Sequence, residues 1–282
     1  MSENINNVVE IISVGNEILI GKILNTNAHW LARRLTSLGL SVRRITVVGD
    51  DLDEISSTIR ESIWRRPAFI ITTGGLGPTF DDKTLEGVAL ATNRGLGENR
   101  EALEMIKRKY EQYVAEGMTE RFELTEYRVK MARLPIGAKP LPNPVGTAPG
   151  VLLQHESVTL IILPGVPEEM MAIFEESVLP LLRKHVGNEF FYEASLNVYG
   201  ILESDLAPLI EQVMRDNTSI HIKSHPKISE KTRKIELHIS ATCSDERVAR
   251  QRIERAIMQI SSLISEKGGK VEPTQDERSL RA

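Results

Sequence analysis

The sequence predicts an α/β protein, a mostly parallel sheet with helices on both faces, followed by a small α+β domain. Three observations carry this. From Val8 to about His185, short apolar, β-branched runs alternate with stretches whose apolar residues recur at helical spacing. After Val186-Gly187-Asn188 the order becomes strand, helix, strand, strand, helix. Glycine-bearing loops follow strands after Val14, Ile71 and Leu163, and in an open parallel sheet such loops line a shared ligand crevice.

The elements follow in order. Val8 to Val14 reads as a strand ending in Gly15-Asn16-Glu17. Asn27 to Leu38 is a helix with Leu31, Leu35 and Leu38 on one stripe and Gly39 placed to end it. Leu40 to Val48 is the next strand. Asp51 with Glu54 makes a capping box for a helix carrying Ile55, Ile59 and Ile63 until Pro67. Ala68 to Ile71 is the third strand. Glu98 to Glu116 is a long polar helix that buries Leu103, Ile106, Tyr110 and Val114. The run LPNPVGTAPG from Leu141 is too rich in proline and glycine for regular structure and reads as a turn system or a linker. Strands at Val151–Gln154 and Thr159–Leu163 precede Pro164-Gly165-Val166-Pro167. A helix from Pro167 to Lys184 then opens with Pro167 and the acids Glu168 and Glu169.

With 282 residues, 41% of them hydrophobic, the chain has room for two cores. The expected units are 1–187, 188–266 and a polar tail, 267–282, with no periodic apolar face and hence expected to be disordered. A net charge of −4 gives no overall nucleic-acid footprint. The single cysteine, Cys243, excludes an internal disulfide framework, suits a reducing compartment and reads as a small buried hydrophobe. No segment has the form of a signal peptide or of a membrane span, so a soluble, cytoplasmic protein is expected.

The stretch TTGGLGPTFDDKT, from Thr72, carries the most functional information. Gly74, Gly75 and Gly77 let the backbone turn sharply and approach a ligand where a Cβ would clash. A helix opens around Lys83-Thr84, so a glycine turn, free backbone N–H groups and a helix N-terminus together suit a phosphate. Asp81 and Asp82 beside that phosphate would repel it unless a divalent cation or a proton sits between them, so the pairing points toward a metal. The alternative is a plain strand-to-helix turn in which one of the two caps the helix. Asp50 and Asp51 add carboxylates after the second strand.

In order along the chain, SVGNEILIGKILNTN, VVGDDLDEI, TGGLGPTFDDKT, PNPVGTAPG and LPGVPEEM resemble the CinA family of competence/damage-inducible proteins, within the molybdopterin-binding-like class. The resemblance covers about residues 8 to 265. It implies a MogA/MoaB-like fold followed by a small KH-like domain. It also implies a site for a phosphorylated nucleotide or pterin, with Gly74, Gly75 and Gly77 cradling phosphate. It puts the essential carboxylates on Asp50 and Asp82, with Thr84 beside the latter. Asp50, Asp81 and Asp82 become metal ligands for Mg, Mn or Co, and Gly146, Pro164 and Gly165 further ligand contacts. Glu17 and Asn25 would contact ligand or metal, although Asn25 serves equally as a helix cap.

The activity implied is metal-dependent pyrophosphate cleavage of ADP-ribose or FAD-like dinucleotides, with molybdopterin binding or adenylylation, or a non-catalytic binding or assembly module, as alternatives. A homo-oligomer without nucleic-acid or membrane partners is expected. Leu76 departs from the MogA-type Gly-Gly-Thr-Gly turn and loses its hydroxyl, which weakens adenylylation. The amidohydrolase domain of full-length bacterial CinA proteins has no counterpart in these residues, so nicotinamide-nucleotide deamidation does not carry over.

Three weaker signals fail. Gly15 to Ile23 has one residue too many for a P-loop, and Ile23 stands where Ser or Thr must bind Mg. His221 and His225 lack further zinc partners. The basic cluster Lys223, Lys227, Lys231, Arg233 and Lys234 lacks the Gly-X-X-Gly clamp of a KH domain, since Gly200 is the only glycine between Asn188 and Lys267.

Overall fold

The computed structural model describes residues 6–187, 190–228, 233–243 and 245–274. The chain passes from one compact unit to a second between Val186 and Gly187. The first contains β1 (Val8–Val14), α1 (Asn16–Leu19), α2 (Thr26–Ser37), β2 (Ser41–Val48), α3 (Leu52–Trp64), β3 (Phe69–Thr73), α4 (Thr84–Ala91), β4 (Leu96–Glu98) and α5 (Arg100–Ala115). It continues with α6 (Glu126–Lys130), β5 (Arg133–Pro135), β6 (Lys139–Leu141), β7 (Gly150–His155), β8 (Val158–Leu163), α7 (Pro167–Ile173), a π-helical turn (Phe174–Val178) and α8 (Leu179–Val186).

Six strands form one sheet in the order β2-β1-β3-β8-β7-β6. The pairs linking β2, β1, β3 and β8 are parallel, and β7 and β6 join by antiparallel pairs. The central strands are buried on both faces, which is why they read as continuous apolar runs. Ile70 packs in one core with Ile55 and Ile59 of α3, Val88 of α4 and Ile106 of α5. Its neighbour Phe69 points the other way, its ring 4.8 Å from that of His185 in α8. Each such fully buried side chain contributes about 1.5–3 kcal/mol. The mostly parallel sheet with helices on both faces is therefore as the sequence predicts.

Local chemistry sets the helix ends. Asp51 caps α3, its Oδ1 accepting from the N–H groups of Asp53 (3.0 Å) and Glu54 (3.1 Å). The single helix expected from Pro167 is instead broken by the π-helical turn. There Trp30 of α2 meets Phe174 edge-on at 5.2 Å, and Arg34 grips Glu175 through two bonds of 2.7 and 2.8 Å. Contacts from a distant helix thus accompany the break, and no local periodicity announces them.

The second unit contains β9 (Phe190–Tyr199), α9 (Glu203–Asp216), β10 (Ile220–Ile228), β11 (Arg233–Cys243), α10 (Glu246–Glu266) and β12 (Lys270–Pro273). Its antiparallel sheet has the order β10-β11-β9-β12. Leu206 and Val213 of α9 and Ile253, Ala256 and Ile260 of α10 pack with Val198, Leu237 and Ile239 of the sheet. The tail expected to be disordered is corrected in part. Gly268, at φ 79°, turns the chain so that Lys270–Pro273 pairs with the open edge of β9. Edge pairing uses backbone groups and needs no apolar period, so the sequence pattern missed it. Residues 275–282 lie outside the described residues, as does Lys231 of the basic cluster. Cys243 is half-buried at the rim of this core, and Lys227 forms an ion pair with Glu236.

One buried acid was not anticipated. Glu10, in β1, is 2% exposed and accepts from Arg65 at 2.7 and 2.8 Å and from Ser62 Oγ at 2.8 Å. Burial alone would push its carboxyl up. The hydrogen bonds from Arg65 and Ser62, with the charges of Arg65 and Arg44, more than offset this and hold it below the ordinary value. A group depressed in the folded state stabilises fully above its unfolded pKa, about 4.3. That contribution is lost as pH falls through the lower folded value. Glu10→Gln should therefore lose less stability than the parent between neutral pH and about 2. Parallel melting curves across that range would show that Glu10 does not set the acid limb.

Candidate functional site

The chain places β2 on one side of β1 and β3 on the other, which makes a topological switch point between β1 and β3. The loops leaving β1, β2, β3 and β8 meet there around a cleft of about 460 Å³. Backbone contacts lock them together. Gly15 N donates to Val48 O (3.0 Å), and Gly74 N donates to Leu163 O (3.1 Å). Asn16 and Asp50 bond reciprocally, Asn16 N to Asp50 Oδ2 at 3.0 Å and Asp50 N to Asn16 Oδ1 at 3.3 Å.

The first two glycines of the turn after β3 leave no room for a side chain. At Gly74, φ 106°, a Cβ would lie 2.1 Å from the carbonyl oxygen of Val14. At Gly75, φ 68°, it would lie 2.3 Å from Thr84 Oγ1. Thr84 is fully buried, and its hydroxyl donates to Gly74 O at 2.7 Å. Leu76 turns its side chain into the core while still bordering the cleft. The N–H groups of Gly75, Leu76 and Gly77 have no protein acceptor among the described residues, and all three residues line the cleft.

Glu17, Asn25, Asp50, Gly74, Gly75, Gly77, Asp81, Asp82, Pro164 and Gly165 all border this one cleft. Two residues of the expected set do not. Thr84 lies beneath the turn, where its hydroxyl is consumed by Gly74. Gly146 is buried against Glu169, whose carboxylate a Cβ would meet at 2.1–2.3 Å. The cleft takes the neighbouring Thr147 and Ala148 instead. The proline- and glycine-rich segment is thus an ordered turn system, tied by Asn143 to Ala148 O (2.8 Å) and to Glu169 (2.7 Å).

The polar side chains of the rim divide their work. Asn25 Oδ1 accepts from Ala28 N at 3.1 Å, so Asn25 caps α2 while bordering the cleft. Neither Asp81 nor Asp82 caps α4, whose N-cap position is Lys83 without a side-chain bond. Asp82 Oδ2 instead accepts from Thr79 N at 2.8 Å, and the Thr79 hydroxyl faces both carboxylates. That hydroxyl, with the charges of Lys130 and Lys83 nearby, holds the exposed Asp81 carboxyl below its ordinary range.

Among the described residues no three His, Cys, Asp or Glu side chains come together as a metal cage. The donor set fits only a hard cation that takes one or two carboxylates and fills its remaining positions from water and ligand oxygens. Sequence reasoning missed Asn27 and Glu169. Asn27 is buried, and its Nδ2 joins Thr73 Oγ1 (2.9 Å) to Gly165 O (2.8 Å), pinning the loop after β8 to β3. No local pattern marks such a bridge, although the doublet of asparagines around Thr26 was visible.

A crevice at a switch point, floored by glycines and rimmed by acids, defines an α/β ligand-binding domain. The family described as "Probable molybdopterin binding domain" matches residues 10–184, and the chain belongs to it. A protein of Caldivirga maquilingensis is 47% identical over 254 residues, covering 89% of this chain and 95% of its own. A protein of Sulfurisphaera tokodaii is 42% identical over 263 residues, 93% and 97% of the two chains. The crystal structure of the protein CinA, of unknown function, from Thermoplasma acidophilum is 42% identical. It superposes with a TM-score of 0.56 over 62% of this chain and 98% of that one. The first unit is accordingly a CinA-type member of the family.

The close approach at Gly75 is testable. Gly75→Ala should cost about 1 kcal/mol or more, since it strains a positive φ and displaces the Thr84 hydroxyl. It should also weaken AMP binding in calorimetry. Unchanged affinity in the folded variant would place the ligand elsewhere.

Proposed function

We propose that the cleft binds a phosphorylated nucleotide or pterin and hydrolyses the pyrophosphate of ADP-ribose or an FAD-like dinucleotide with a divalent cation, Mg, Mn or Co. The observation that carries this reading is the set of three free N–H groups at Gly75, Leu76 and Gly77, on the same cleft as Asp50 and Asp82. Free N–H groups in a glycine turn suit phosphate oxygens, whereas two bare carboxylates would repel them without a cation. Asp50 and Asp82 would hold the ion. Bound there, it would neutralise the phosphate and lower the pKa of a water. Asn16 and Thr79 orient the two acids through the bonds described above. Water then adds across the phosphoanhydride to give AMP and ribose 5-phosphate.

A second reading, molybdopterin binding, is favoured by the description of the family. Adenylylation of that ligand is less well supported, because Leu76 buries its side chain where a hydroxyl would be wanted. A non-catalytic module is the third. Among the described residues no helix is long and apolar enough to cross a membrane. We further expect a cytoplasmic homo-oligomer without a nucleic-acid partner.

Product analysis with ADP-ribose, FAD, or molybdopterin plus ATP, across Mg, Mn and Co, separates the three. Release of AMP from ADP-ribose is the expected result. Asp82→Asn should cut that turnover about a hundredfold or more, the scale of losing one electrostatic element. Its melting point should change little, because Asp82 caps no helix. Full activity in the Asn variant would remove the role assigned to Asp82, and binding without turnover would support the non-catalytic module.

A further inference from the structure

A second cavity lies at the opposite end of the same strands. It encloses about 440 Å³ and takes Phe69 from the first position of β3, whereas the cleft takes Thr73 from the last. Four residue steps along a strand separate the two by roughly 13 Å. The register builds its floor. Phe69 pairs with Thr159 and Thr159 with Gln154, while Leu152, two residues from Gln154 on the same face, pairs with Lys139. Leu181, Lys184 and His185, at helical spacing on α8, make the wall.

The lining is apolar at Phe69, Leu152 and Leu181, and otherwise neutral or cationic. Among the described residues no acid lines it, although the chain as a whole carries an excess of four acids. Lys139 and Lys184 have no ion-pair partner among the described residues, whereas Arg34 and Arg65 elsewhere in this unit are paired with acids. His185 is held in place by the Phe69 ring and by Asn6 O at 3.0 Å. Two unneutralised ammonium groups beside an apolar, concave floor focus a positive potential into it. The volume falls in the range of small-molecule sites, about 300–1,000 Å³.

We propose that this cavity is a second ligand site, for a small organic anion: a carboxylate, sulfonate or phosphate ester on an aromatic or branched apolar body. The body covers Phe69, Leu152 and Leu181, and the anion lies between Lys139 and Lys184. The site is independent of the cleft and of the function assigned there.

Titrating the full-length protein with 8-anilinonaphthalene-1-sulfonate tests it. Saturable binding of one probe per chain is expected, weakening as salt is added. The uncharged N-phenyl-1-naphthylamine should bind at least tenfold more weakly. Lys139→Glu with Lys184→Glu should weaken the sulfonate tenfold or more, and substitutions at two exposed lysines leave the core untouched. Excess AMP and the Gly75→Ala change should leave it unaffected. The proposal falls if binding is absent or non-saturable, if the double variant binds as the parent does, if the neutral probe binds equally, or if AMP displaces the sulfonate.

Discussion

The whole cleft depends on one close approach. The backbone of Gly74 passes so near the carbonyl of Val14 that any side chain would lie 2.1 Å from it. That contact joins the ends of β1 and β3 at the point where strand order reverses, and the Gly74 N–H ties the same corner to Leu163 at the end of β8. With three strand ends bound at one residue, the next three residues are held out as a short arch. Thr84 braces it from beneath. The free N–H groups of the arch are thus a consequence of packing at its foot, where the donor of Gly74 is consumed and those of its successors are not.

Charge around the arch is organised by neutral groups. Asn16 holds Asp50 and Thr79 holds Asp82, each through a backbone N–H, and among the described residues neither acid has an arginine or lysine salt bridge. Elsewhere in the same unit the reverse holds: Glu10 is buried and fully engaged by Arg65 and Ser62. The contrast separates an acid that stabilises the sheet from acids left able to meet a cation. The far end of the sheet carries the opposite sign, with Lys139 and Lys184 over an apolar floor.

Most of the first unit was legible because its strands are buried on both faces and its helices carry clean stripes, as with Ile55 and Ile59 on α3. The glycine turn was legible because Gly74 and Gly75 need positive φ, which leaves a compositional mark. What escaped the sequence depends on partners distant along the chain. The π-helical turn sits where Trp30 and Arg34 meet Phe174 and Glu175, β12 pairs with a strand about 75 residues earlier, and Asn27 bridges to Gly165. The Thr84 hydroxyl turns to the carbonyl of Gly74 beneath the turn, and adjacency in sequence does not say which side of a loop a hydroxyl faces.

The central claim is that the arch from Gly75 to Gly77 receives phosphate through its backbone. Titrating the isotopically labelled protein with ADP-ribose and following amide proton and nitrogen shifts tests this most directly. The account predicts that the Gly75, Leu76 and Gly77 resonances move downfield together and saturate with a single affinity. Saturable binding that leaves those three amides unmoved would contradict it.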